Sequence, residues 1–590
     1  MESYSSNSVS HSSVSQPVNH PDHNVAINPE QVLIYDTTLR DGAQREGLSL
    51  SVEDKVKIAQ QLDRLGVKFI EGGWAGANPK DGEFFRRMQS ERLLNAEMVV
   101  FCSTRRSGIM ASADPMLIPI VAAQTRWITL FGKSWDLHVI EGLRTTLAEN
   151  LEMISDTISY LRSRERQIIY DAEHWFDGYK HNPTYALQTL EAATKAGASW
   201  LVFCDTNGGT LPHEVSQIVR HTIDHIRTYV ESKNLTMPQF GIHTHNDAGV
   251  AVANALSAVT EGVRMVQGTI NGYGERCGNA NLCTLLPNLQ MKLGYACITE
   301  AQLAELTHVS RHVSEIVNLA PDEHAPFVGL SAFAHKGGIH VSAVQRNPIT
   351  YEHIAPDVVG NLRRIVISEQ SGLSNVLAKA ATFGLHLTKE DVACRQILQQ
   401  MKDLEQIGYQ FEAAEASFEL LMRGALGQRP EFFTVSQFDV HCDANIAHHQ
   451  GEVSALATVK VTVQGAQQLT AAEGNGPVSA LDEALRKALS TFYPAIKNFY
   501  LTDYKVRILN GEAGTYATTR VLIEFSNGAQ RWTTVGVAQN IIAASCKALA
   551  EGFEYGLLLH QRYDQNFAIT ENLSLTNLTP NSSMTQISYI

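Results

Sequence analysis

Eight short apolar runs recur between residues 32 and 270, and this repetition constrains the fold more than any other feature of the chain. The runs are Val32–Tyr35, Val67–Gly73, Glu97–Cys102, Trp127–Phe131, Gln167–Asp171, Trp200–Cys204, Gln239–His243 and Met265–Ile270. Continuous apolar runs of this length read as strands buried on both faces. The segments between them keep helical spacing, as in Leu147–Leu161 and Tyr185–Ala196. Gly66 and Gly197 stand where a helix would end. Eight even strand–helix units in about 260 residues predict an α/β fold, a closed (β/α)8 TIM barrel. A doubly wound open sheet is the alternative. No GxGxxG fingerprint stands at a strand–helix turn.

A barrel of this kind carries its active site at the C-terminal ends of its strands, and the polar clusters fall there. Arg40-Asp41 follows the first run, Glu71 lies on the second, and Glu173 follows the fifth. Asp205-Thr206-Asn207 follows the sixth, His243 to Asp247 the seventh, and Asn271 to Asn279 the eighth. The opposite ends are bland. The first loop, Asp36 to Gly47, holds two arginines and three carboxylates. It leads into Ser51-Val52-Glu53-Asp54, a capping-box start in which Asp54 stands in place of the usual Glu or Gln.

Side chains alternate along a strand, so His243 and His245 point the same way. With the Asp41 carboxylate and the Asn279 carbonyl oxygen they form a donor set for Mg2+, Mn2+ or Zn2+ with positions left open. A cation held this way chelates a 2-oxo acid and polarises its ketone. Arg40 beside it stabilises the oxyanion that forms. A buried ion pair of Arg40 with Glu71 or Glu173 is the structural reading, and the two roles are compatible.

At 590 residues the chain calls for roughly three or four domains. Beyond residue 298 the pattern turns helical, in Glu300–Leu319, Ser374–Ala381 and from Lys389 onward. Past Gln428-Arg429-Pro430 come alternating strands such as Ala455–Val463, a helix at Val478–Leu489, and a similar second unit from Leu501 with its helix at Asn540–Ala550. The expected division is a disordered tail over 1–30, the barrel over 31–297, helical linker subdomains over 298–428, an α+β regulatory and dimerisation domain over 429–562, and a polar, disordered tail over 563–590. The net charge of −14, without a long run of one sign, argues against nucleic acid or an anionic membrane as partner. No apolar run nears the roughly 18 residues of a membrane span. Scattered cysteines without a CxxC pair, and a first stretch of 39 residues without Lys or Arg, fit a cytoplasmic protein without a leader.

Three motifs carry a family resemblance: Asp36-Thr37-Thr38-Leu39-Arg40-Asp41-Gly42 with Gln44, His243-x-His245-Asn246-Asp247, and Gly272-Tyr273-Gly274-Glu275-Arg276-Cys277-Gly278-Asn279. In this order they resemble the 2-isopropylmalate, homocitrate and citramalate synthases. Glu473–Val478 and Trp532–Ser545 are similar to that family's allosteric domain, so the resemblance spans about residues 31 to 560. It implies a Claisen-type condensation of acetyl-CoA with a 2-oxo acid, followed by thioester hydrolysis. It implies Asp41, His243, His245 and Asn279 as metal ligands, Arg40 as charge stabiliser, Arg40, Gln44, Glu71, Glu173 and Thr206 as residues that bind the oxo acid, and Glu173 among the catalytic residues. His340 would be the base, with His335 five residues away as the alternative, and its segment would reach into the partner subunit of a homodimer. Glu71-Gly72-Gly73-Trp74 and the residues to Asp81 look like the citramalate branch, whose oxo acid is pyruvate; Trp74 would exclude the larger 2-oxoisovalerate. The last domain would then bind isoleucine at turns Gly474–Gly476 and Gly536–Ala538. The rival readings are 2-isopropylmalate synthesis, a homocitrate synthase, a hydroxymethylglutaryl-CoA lyase, a biotin-dependent carboxyltransferase, or a catalytically dead metal-binding amino-acid sensor.

Overall fold

Residues 33–268 carry a closed ring of eight parallel strands in the computed structural model, which describes residues 30–443 and 454–576. The strands are β1 (Leu33–Asp36), β2 (Phe69–Gly73), β3 (Glu97–Ser103), β4 (Trp127–Lys133), β5 (Gln167–Glu173), β6 (Trp200–Asp205), β7 (Gln239–Thr244) and β8 (Met265–Gly268). Closure comes from β1, which pairs with β2 on one side and with β8 on the other. Tyr35, Phe69, Val99, Ile169, Trp200, Val202 and Met265 pack together in its core. The first helix, Val52–Leu65, starts at the expected box: Asp54 N donates to Ser51 Oγ at 3.1 Å and Ser51 N to Asp54 Oδ2 at 2.9 Å. It ends at Gly66, whose φ of 89° suits glycine.

The observed strands differ from the apolar runs chiefly at their C-terminal ends. β4, β5, β6 and β7 each run one or two residues further, and so carry Lys133, Glu173, Asp205 and Thr244 inside the ladder. β8 is shorter than expected. Ile270 leaves the ladder because its N–H is taken by Thr38 Oγ1 and the Thr269 N–H by the Ala280 carbonyl. The expected helix Glu300–Leu319 is two helices, Glu300–Leu303 and Leu306–Ile316, broken where Gly360 (φ 69°) packs on the Ala304 carbonyl.

The chain divides into two compact units, one reaching Ala332 and including Pro356–Asn361, the other made of Phe333–Ala355 and the residues from Leu362 onward. The division falls inside the helical segment that follows the barrel. In the second unit β9 (Ala334–His335) and β10 (Arg364–Ile365) form a small parallel pair. The helices Gly338–Arg346, Leu373–Thr382, Val392–Gln406 and Glu415–Ala425 follow the same part of the chain. Two antiparallel three-stranded sheets come next. They are β11 (Thr434–Asp443), β12 (Ser454–Val463), β13 (Ala466–Gly474), and then β14 (Tyr500–Ile508), β15 (Thr519–Ser526), β16 (Arg531–Ala538). Each sheet is followed by a helix, Pro477–Leu489 and Ile541–Thr576, so the repeated module is β-β-β-α. In β12, Ala455, Ala457, Val459, Val461 and Val463 are buried in strict alternation, the signature of a half-covered sheet.

Two expectations for this unit are corrected. Gly536–Ala538 is not a turn but the end of β16, where Gly536 pairs with Val521. A Cβ there would strike the Ala544 carbonyl, so the glycine serves close helix–strand packing. The polar end expected from Tyr563 begins as helix, which continues to Thr576. The expected N-terminal tail lies outside the described residues except at its last position. Among the described residues no helix is long and apolar enough to cross a membrane.

Candidate active site

The loop after β1 is stitched to β8 before any ligand enters. Thr38 N and Thr38 Oγ1 donate to the two oxygens of Asp36, each at 2.8 Å. Thr37 N donates to the Gly268 carbonyl. Burial, partly offset by the Thr38 bonds, pushes the Asp36 carboxyl up to about 7. This scaffold fixes Arg40 and Asp41 at the barrel mouth.

There Asp41, His243 and His245 converge, and all three are buried. Asp41 Oδ2 lies 3.4 Å from His243 Nε2 and 3.8 Å from His245 Nε2, and the two Nε2 atoms are 3.2 Å apart. Asn279 is bridged to His245 in the backbone and donates Nδ2–H to the Tyr273 carbonyl at 3.3 Å. Its Oδ1 is left buried and unpartnered among the described residues, as are Asp41 Oδ1 and His245 Nδ1. Burying acceptors without a partner costs roughly 1–3 kcal/mol each, so a cluster of them marks a place for a ligand. Gly274, at φ 156°, forms part of the cradle, since a Cβ there would run into the Asn279 amide.

The protonation pattern fits a cation. Gln267 donates Nε2–H to Asp171 Oδ1 at 3.1 Å and so turns Oε1 to His243 Nδ1, 2.8 Å away. His243 therefore donates Nδ1–H to Gln267, and burial, which opposes its charged form, is outweighed by Asp41, so the ring is held above its ordinary value. Burial, reinforced by the neighbouring His243, pushes His245 down to about 3 and keeps it neutral. Burial works against ionisation of Asp41, but Arg40 and the two histidines outweigh it and hold the carboxyl well below its usual range. Two imidazoles, a carboxylate and an amide oxygen are donors that suit a divalent cation, which would take the place of the proton that His243 shares with Asp41.

Arg40 forks between two carboxylates: Nε donates to Glu71 Oε2 at 2.5 Å and Nη1 to Asp41 Oδ2 at 3.0 Å. Its guanidinium also lies over the Phe101 ring, 4.0 Å from the centroid. Glu71 is fully buried, with its other oxygen accepting from Tyr35 Oη at 2.7 Å. The expected contact of Glu71 with substrate is thereby corrected: Tyr35 and Arg40 engage both its oxygens, and it holds Arg40 from behind without lining the cavity. The cavity, of about 500 Å3, is lined by Arg40, Asp41, Gln44, Glu173, Thr206, His243 and His245, and also by Trp74, Phe101 and Phe131. Glu173 forms an ion pair with Lys133, and Thr206 Oγ1 accepts the His174 N–H at 2.9 Å. Trp74 packs edge-on to Phe101 and Phe131, so three aromatic rings form one wall of the cavity.

His340 lies on the helix Gly338–Arg346 of the second unit, exposed, with its ring 4.2 Å from that of Tyr351. His335 is buried, and its Nε2 is 3.0 Å from Glu352 Oε1, while Arg363 holds both oxygens of Glu352. His335 is thus engaged in a closed ion-paired group.

Sequence reasoning passed over Gln267 and Lys55. Gln267 sits mid-run in β8, and only the register that places it opposite His243 reveals its role. Lys55 lines the cavity and bonds Asp81 Oδ1 at 2.5 Å and the Gly72 carbonyl at 2.9 Å. A lysine on the apolar stripe of its helix, in line with Ala59 and Leu62, is the signal that could have found it.

The chain matches the HMGL-like family over residues 31–313, the homocitrate synthase post-HMGL domain-like family over 327–408, and the LeuA allosteric (dimerisation) domain over 412–557. It is 65% identical over 539 residues to an (R)-citramalate synthase of Synechocystis sp., covering 91% of this chain and 98% of that one. The chain belongs to the citramalate synthase family of acyltransferases. An (R)-citramalate synthase of Geobacter sulfurreducens is 51% identical, covering 89% of this chain and 97% of its own length. A probable 2-isopropylmalate synthase of Methanopyrus kandleri covers as much of the chain at 30% identity.

Proposed function

We propose that this enzyme condenses acetyl-CoA with pyruvate and hydrolyses the product to citramalate and CoA. The observation that carries this reading is the convergence of Asp41, His243 Nε2 and His245 Nε2, with Asp41 Oδ1 and Asn279 Oδ1 buried and unpartnered among the described residues, beside a fixed arginine in a cavity with an aromatic wall. Asp41, His243, His245 and Asn279 would hold Mn2+ or Mg2+, with Zn2+ as the alternative. Such a cation, when bound, would polarise the ketone of a 2-oxo acid. Arg40, clamped by Glu71, stabilises the alkoxide that develops as the methyl carbon of acetyl-CoA bonds to the ketone carbon. Gln44, Glu173 and Thr206 orient the oxo acid, and Trp74 limits its side chain to a methyl group. His340 of the partner subunit removes the methyl proton, acting as a base near neutral pH. Its exposure supports this role, whereas His335 is held by Glu352. Water then cleaves the thioester.

The domain division of the sequence reading is kept in this proposal: a catalytic barrel, a linker that completes the site, and a regulatory and dimerising domain. That domain would bind isoleucine near Gly474–Gly476, and the enzyme would act in the cytoplasm in isoleucine synthesis. The test is CoA release by the purified protein with Mn2+, comparing pyruvate, 2-oxoisovalerate and 2-oxoglutarate and identifying the product. Pyruvate preference with citramalate formed supports the proposal. Preference for 2-oxoisovalerate replaces it with 2-isopropylmalate synthesis, and no release with any of the three leaves the sensor reading.

A further inference from the structure

The aromatic wall of the cavity begins at a bulge in β2. Glu71 pairs with Val99 and Gly73 with Val100, so Gly72 is one residue more than β3 can match. Bulges re-aim the side chains near them and are frequent beside active sites. A Cβ at Gly72 would strike the rings of Phe84 and Phe85, and the Gly72 carbonyl accepts from Lys55 Nζ at 2.9 Å.

Lys55, on the helix Val52–Leu65, also donates to Asp81 Oδ1 at 2.5 Å. Asp81 lies in the first turn of the helix Pro79–Met88, and its Oδ2 accepts the Trp74 N–H at 3.0 Å. Both residues are buried, and a carboxylate at that depth depends on its cation. A Cβ at Gly73 (φ 135°) would run into the Asp81 carboxylate, so glycine there lets the carboxylate reach the backbone. The Trp74 carbonyl accepts from the Ala77 and Asn78 N–H groups at 3.0 and 3.1 Å. The indole has no such tie. Trp74 Nε1 is buried without a partner among the described residues, and the ring rests on Phe101 and Phe131. The place of the ring is therefore set by packing and by its backbone, whose N–H is held through Asp81 by Lys55.

We infer, on the proposed role of Trp74 in specificity, that Lys55 and Asp81 are positioning residues that set the size of the oxo-acid pocket by holding Trp74 in place. Lys55 also lines the cavity, where a direct bond to the carboxylate common to all 2-oxo acids is the competing role. Direct contact would weaken every oxo acid alike. A displaced wall changes their ranking.

The experiment measures kcat/KM for pyruvate and for 2-oxoisovalerate with Mn2+ on the full-length protein, for Lys55→Met, Asp81→Asn, Lys55→Met/Asp81→Asn and Trp74→Ala. A loss of folded enzyme lowers both values together and cancels in their ratio. Lys55→Met strands a buried carboxylate; the double variant removes both charges and serves where the single one does not fold. The expected result is a ratio of 2-oxoisovalerate over pyruvate raised about tenfold in each pair variant, no higher in the double variant than in the singles because they break one contact, and not above that of Trp74→Ala. Fluorine NMR of protein labelled with 5-fluorotryptophan gives a readout independent of turnover. Of six tryptophan lines, the one missing in Trp74→Ala should shift and broaden in Asp81→Asn while the others stay. An unchanged ratio and an unmoved Trp74 line in the pair variants, with the ratio raised in Trp74→Ala, would overturn the inference and leave the role of Trp74 standing. KM raised equally for both oxo acids in Lys55→Met, at constant ratio, would also overturn it and assign Lys55 to substrate binding. A ratio unchanged in Trp74→Ala itself would remove the role of Trp74 in specificity, and that of the pair with it.

Discussion

Two buried clusters of charge in this molecule are built from similar residues to opposite ends. In the second unit, Glu419 is fully buried, and Arg423, Arg562 and Tyr555 all donate to it. Each of its oxygens is engaged, and the cluster ties the helix Glu415–Ala425 to the helix from Ile541. In the barrel mouth, Asp41, His243, His245 and Asn279 are equally buried, yet several of their lone pairs meet nothing. A closed cluster resists change and binds nothing further; an open one has been given its burial cost in exchange for a ligand. Arg40 stands between the two types, since it is closed on Glu71 and open toward the cavity.

This contrast is best broken at Asp41. Asp41→Ala removes the only carboxylate of the donor cluster and should lower CoA release by at least roughly a thousandfold. The protein should remain folded, because no closed network depends on that side chain except through Arg40. The opposite pattern is expected of Glu419→Ala. Loss of the shared acceptor strands two arginines and should cost about 3–5 kcal/mol of stability, read as a shift of the denaturant midpoint, with activity per folded molecule preserved. If Glu419→Ala instead lowered turnover without a stability change, the distinction between closed and open clusters would fail.

Smaller effects sharpen the same comparison. Gln267→Met removes the acceptor that fixes the His243 tautomer and should weaken Mn2+ affinity about 10–100-fold, measured by titration against a competing chelator. Trp74→Ala should shift the ratio of kcat/KM for 2-oxoisovalerate over pyruvate upward by roughly 10–200-fold, with metal affinity unchanged. An unchanged ratio would remove the aromatic wall from the account of specificity.

The sequence made the barrel legible because each strand is a short apolar run with polar residues at one end. Those ends also exposed Arg40, Asp41, His243, His245 and Asn279 as a group. What stayed hidden depends on register and on distance in the chain. Gln267 looks like one polar interruption of an apolar run until β7 and β8 are aligned and it meets His243. Glu71 reads as a cavity residue from its place on β2, but Tyr35 and Arg40 draw it inward. The Gly536 segment reads as a turn because glycine is common in turns, whereas here a helix crosses close above a strand.

The most direct measurement is the metal content of the protein after chelation and stepwise reloading with Mn2+, with CoA release from acetyl-CoA and pyruvate assayed on the same samples. The account predicts one tightly held ion per chain and activity that rises in proportion to occupancy, with neither seen in Asp41→Ala. Full activity in the metal-free protein, or tight Mn2+ binding that survives loss of Asp41, would contradict it.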